Sequence, residues 1–65
     1  MTLYIETTES VIFQTDDFAA VPNVGESIMV EGEWYVVVGR NFYFRHLKNI
    51  DDNSVSLFVR KTERV

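Results

Sequence analysis

The chain has no cysteine, one proline, one histidine and, over residues 1–39, no lysine or arginine. Without cysteine there is no disulfide and no thiolate metal site. A single histidine, His46, excludes the common multi-histidine zinc centres. The longest unbroken apolar run, Trp34–Val38, falls far short of the roughly 20 residues that span a bilayer, so no membrane segment is expected. Glu6 and Glu9 interrupt the N-terminal apolar stretch, so no signal peptide is expected either. No phosphate-binding or dinucleotide-binding glycine pattern occurs; Gly25, Gly32 and Gly39 fall where turns and bends are expected. Serine, histidine and aspartate show no ordering that strand geometry would assemble into a triad, and a lone His46 between Arg45 and Leu47 suits a surface better than a general base. The pairs Asp16-Asp17 and Asp51-Asp52 lack the spacing of a calcium loop and read as solvated turn acids. No enzyme activity, cofactor or metal is therefore expected.

What remains is aromatic and unevenly charged. Sixty-five residues, 46% of them hydrophobic, make a single domain over 1–65. A domain of this size buries only about 60% of its unfolded surface. Lacking disulfides and metals, it gains stability from a dense aromatic core or from self-association. Five Phe, three Tyr and one Trp supply that core. The seven acids of residues 1–39 are Glu6, Glu9, Asp16, Asp17, Glu26, Glu31 and Glu33, and no base accompanies them. Residues 40–65 carry six bases against three acids, and the whole chain is at −4. Such segregation predicts one acidic and one basic surface, suited to a charged partner or to other copies of the chain.

Residue alternation predicts an all-β fold, a small antiparallel barrel or strongly bent sheet of about five strands. Leu3–Glu6 and Val11–Thr15 alternate, with Thr7–Ser10 as a polar turn between them. Asp16–Val21 is the only plausible helical turn, capped by Thr15 or Asp16 and pinned to the core by Phe18 and Val21. Pro22-Asn23-Val24-Gly25 reads as a reverse turn. Ser27–Val30 and Glu33–Val38 flank the hairpin loop Glu31-Gly32, and the strand runs on through Arg40 to Leu47. Lys48–Asn53 is a polar loop, and Val55–Thr62 the last strand.

Two irregularities stand out. Tyr35 and Val37 share a face before Gly39, and Phe42 and Phe44 share one after it, so the parity changes from odd to even. One inserted residue at Gly39, a bulge or sharp bend, explains the change; a turn between two separate strands is the alternative. Apolarity is also two-sided: residues 34–38 and 42–44 are unbroken, where a half-buried strand would alternate. Either the N-terminal hairpin and the Phe18 loop cover the second face, or Trp34, Phe44 and Phe58 form an interface in a homo-oligomer, expected to be a dimer.

Arginine and aromatics interleave in Arg40-Asn41-Phe42-Tyr43-Phe44-Arg45-His46. Arg40, Phe42, Tyr43, Arg45, His46 and, from the last strand, Arg60 are the candidate binding residues. On one strand face Tyr43 and Arg45 would meet Arg60 across the sheet in a basic patch. Such a surface stacks bases and pairs with phosphates. A net charge of −4 opposes a nucleic acid, whereas a small nucleotide-like anion needs only a few donors and one aromatic platform. Edge arginines on an ordinary core strand remain the alternative.

Val21-Pro22-Asn23-Val24-Gly25-Glu26-Ser27-Ile28, followed by Gly32 and Tyr35-Val36-Val37, resembles a pattern in short SH3-like barrel proteins of bacteriophages and their hosts. The resemblance covers residues 21–44 at best and involves turn and core positions only. It implies the fold and carries over no site residue. It also suggests a non-enzymatic protein of the host-cell cytoplasm that inhibits or sequesters a host target, as a host-protein inhibitor or counter-defence factor. Two alternatives stand beside this one: an oligomeric sponge for a nucleotide-like signalling ligand, and a minor structural adaptor of a virion.

Overall fold

Strand-forming alternation is realised along most of the chain. A computed structural model describes residues 1–44, 46, 47, 50, 51 and 53–63. It contains β1 (Thr2–Glu6), β2 (Val11–Thr15), β3 (Ser27–Val30), β4 (Glu33–Tyr43), β5 (His46–Leu47), β6 (Ile50–Asp51) and β7 (Ser54–Lys61). Five of these make one sheet in the order β2-β1-β7-β4-β3, and β5 and β6 pair separately. The fold is all-β, a strongly curled half-barrel. The two edge strands, β2 and β3, do not pair with each other, so the barrel stays open between them.

One pairing departs from the antiparallel expectation. β1 runs parallel to β7, Leu3 beside Val55 and Ile5 beside Leu57, while the other three pairings of the main sheet are antiparallel. Alternation reports which residues share a face and is silent on strand direction. A parallel neighbour needs a long connection, here everything from β2 to β6.

β7 is the most buried strand. Val55 and Leu57 are fully buried and Val59 nearly so, and Leu3, Ile5, Val37 and Val30 complete the core on the same face. Phe18 and Val21 pack against that core, as expected, but the helical turn is absent: Asp16–Glu26 is irregular. Thr15 acts locally instead of capping a helix. Its Oγ1 accepts a hydrogen bond from the Asp17 amide at 3.0 Å, a turn that competes with helix. Thr2 Oγ1 then holds Asp16 at 2.6 Å and anchors the start of the loop to β1.

Turn chemistry follows the sequence closely. Glu31 and Gly32 have φ of 50° and 82°, the paired positive values of a type I′ hairpin turn. The expected reverse turn forms one residue later, with the Glu26 amide donating to the Asn23 carbonyl at 3.1 Å. The Gly25 amide and the Glu26 carbonyl then bond to Val37 at 2.8 and 2.9 Å, which sews this turn to β4. At Thr7–Ser10 the amides of Glu9 and Ser10 donate to Thr7 Oγ1 at 3.2 and 3.4 Å.

The parity change at Gly39 is a bulge inside one continuous strand. Val37 pairs with Val59 and Gly39 with Phe58, leaving Val38 unpaired and half exposed. A Cβ at Gly39 would meet Phe58 at 3.8 Å, an ordinary contact, and its φ is not positive. The strand therefore bends through the extra residue and not through a glycine-only conformation. Gly39→Ala is expected to shift stability by less than about 0.5 kcal/mol in urea unfolding. Gly32→Ala, forced into a left-handed conformation, should cost about 1–2 kcal/mol. Equal costs at the two glycines would contradict this reading of the bend.

Candidate functional site

The opening between β2 and β3 forms a shallow groove over the core. A groove of about 400 Å³ has Leu3, Ile5 and Leu57 at its floor and Ile28 and Val30 on one wall. Ala20 and Pro22 contribute from the loop, and Phe13, Ala20, Met29 and Glu31 are its exposed members. All of these except Leu57 come from the stretch without lysine or arginine. Strand edges and Glu31 thus flank an apolar floor. Sequence reasoning missed this site, because no residue pattern states which two edges of a curled sheet fail to meet.

The interleaved segment forms a second feature, an aromatic arm at the far end of β4, with β7 beside it and β1 and β2 beyond. Beyond the bulge, Arg40 lies opposite Leu57 and Phe42 opposite Val55, so both continue the core face. β3 reaches only as far as Val36 along β4, and among the described residues no strand lies on the outer edge of Arg40–Tyr43. Phe42 and Tyr43 are roughly half exposed and Phe44 is 72% exposed. The rings of Phe42 and Phe44 stack with centroids 6.3 Å apart and planes 6° from parallel. The Arg40 guanidinium sits 5.5 Å above Phe42, a cation–π contact. The molecule measures 47 × 21 × 19 Å, with a radius of gyration of 12.7 Å. A compact domain of this length has about 11 Å.

The expected basic patch does not assemble from the residues described. Arg60 lies opposite Val36, six positions along β7 from Ser54, the partner of Tyr43, or about 20 Å of strand. Arg60 also faces away from Arg40, since it alternates with the core residue Val59. Arg40 Nη1 donates to the carbonyls of Pro22 and Val21 at 3.3 and 3.5 Å and so ties the loop to β4. His46 pairs with Asp51 in the β5–β6 ladder. Arg45 lies outside the described residues, as do Lys48, Asn49 and Asp52 of the expected polar loop, in which Ile50–Asp51 forms β6.

Of the residues expected at an interface, Phe44 is the most exposed, while Trp34 and Phe58 are half buried, Phe58 lying over Gly39. A second cleft, about 730 Å³, lies between the Thr7–Ser10 turn and Tyr35, Arg60 and Lys61. Lys61 Nζ is 3.0 Å from Glu33 Oε2. The hydrogen bond to Glu33, more than its charge alone, holds the Lys61 pKa above its ordinary value. A raised lysine pKa favours the folded state at lower pH, and that contribution is lost only as pH rises through the lysine range. With both side chains exposed, the effect is small. Among the described residues no group of three His, Asp or Glu could hold a metal ion.

No protein-family model, curated protein or solved structure matches the chain.

Arg40 gives the geometry a direct check. Arg40→Ala removes both carbonyl contacts and frees the loop that covers part of the core. A loss of about 1 kcal/mol is expected in urea unfolding, toward the low end for charged hydrogen bonds because the side chain is exposed. Unchanged stability would show that the loop holds without it.

Proposed function

We propose that the protein is a non-enzymatic binding protein that inhibits or sequesters a target protein. It does so by taking an extended segment of that target into the groove between β2 and β3. The observation that carries this reading is the apolar floor of Leu3, Ile5 and Leu57 lying between two strand edges that do not pair with each other. A free strand edge offers backbone donors and acceptors to an incoming strand, and alternate side chains of that strand reach the floor. Glu31 and the absence of any base before Arg40 favour a segment carrying lysine or arginine. The resemblance of residues 21–44 to phage-type barrels supports a target in a bacterial host and action in the host cytoplasm.

Selection from a random peptide library tests this. Enriched peptides are expected to alternate apolar residues with lysine or arginine, and to bind more weakly as salt rises. Glu31→Lys should weaken them roughly fivefold, since one exposed charge contributes up to about 1 kcal/mol. Enrichment of acidic peptides would contradict the reading. So would a rise in melting temperature with nucleotides but not with the enriched peptides, which would favour a nucleotide-like ligand.

A further inference from the structure

The groove and the aromatic arm occur on every copy of the chain, and their chemistries are complementary. The arm presents Phe42, Tyr43 and Phe44 to solvent, on a strand that has no further strand on its outer edge over Arg40–Tyr43 among the described residues. Phe42 and Phe44 stack in parallel on one face at the end of β4 with Arg40 above Phe42, and Tyr43 lies on the other face. These rings leave the groove of their own chain unfilled: none of them lines it, and all three remain exposed. Residues 40–48 carry Arg40, Arg45 and Lys48 and no acid, whereas the groove draws all but Leu57 from the base-free stretch and has Glu31 exposed in it.

We propose that the aromatic arm of one copy occupies the open groove of a second copy, and reciprocally, in a two-fold dimer that forms when no target is bound. Phe42 and Phe44, exposed together on one face at the end of β4, are costly to leave in water on a domain this small, and an apolar groove beside Glu31 is where they are best buried. The opposite charges of arm and groove set the pairing and oppose the arm-to-arm alternative, in which Arg40 would approach its own copy. A two-fold arrangement uses both arms and both grooves at once and closes, whereas a one-way contact would propagate into a fibre. The dimer shares the groove with the reading above but not the partner, so a target segment competes with the arm.

Mixing two variants decides the matter. F42S/F44S removes the arm and leaves the groove; F13K/E31K spoils the groove and leaves the arm. Wild type is expected to sediment as a dimer at tens of micromolar, and each variant alone as a monomer. An equimolar mixture should recover a heterodimer through its one intact arm–groove contact. E31K alone, at an exposed turn position, keeps the test open should F13K disturb β2, and should raise the dimer dissociation constant roughly 25-fold, about fivefold for each of the two contacts. A monomeric wild type, an open-ended series of oligomers, a dimeric F13K/E31K variant, or a mixture that stays monomeric would each overturn the proposal. Peptide binding by F42S/F44S separates the two readings. If it binds the enriched peptides at least as tightly as wild type, the groove reading stands whatever the dimer result. If no peptide binds while the mixture dimerises, the arm is the groove's own partner and the target reading fails.

Discussion

Burial of β7 is the constraint on which the rest depends. Val55 and Leu57 are removed from water altogether, and each such side chain contributes about 1.5–3 kcal/mol. In a chain with no disulfide and no expected metal, little else of that size is available. β7 can be so buried because it has β1 on one side and β4 on the other, while the loop from Asp16 to Pro22 lays Phe18 and Val21 against the core. The parallel β1–β7 pair follows from this demand. The first strand adds to the last because that completes the flank of the most buried strand.

The same arrangement produces both candidate binding features. Centring the sheet on β7 places β2 and β3 at its edges, and five short strands curl without closing. A groove over the core therefore runs between the edges. β4, at 11 residues, is longer than β3, at four, and outruns it. The bulge at Val38 keeps the far half of β4 on the core face, so Arg40 and Phe42 lie beside Leu57 and Val55. Arg40 serves both parts: its guanidinium covers Phe42 and fixes the loop carbonyls of Val21 and Pro22.

Much of this was legible in the sequence where the signal is local. Period-two alternation marks β1 and β2, the Glu31-Gly32 pair specifies its hairpin, and the odd-to-even change near Gly39 locates the bulge. Long-range facts were not legible. Alternation does not tell parallel from antiparallel, so the direction of β1 against β7 went unseen. The helical turn at Asp16–Val21 was misread because Thr15 caps a turn as readily as a helix. Arg60 was expected opposite Tyr43, but cross-strand register depends on the bulge and on loop length, and it places Arg60 opposite Val36. The groove exists because two strands remote in sequence do not meet, and no single segment records that.

Native-state hydrogen exchange measures the dependence on β7 most directly. Amides of β7 and of the β1 and β4 residues paired with it should exchange only through global unfolding, and those at the outer edges of β2 and β3 much faster through local opening. Equal protection of β2, β3 and β7 would mean that the sheet closes on itself, leaving neither an open groove nor a strand on which the others depend.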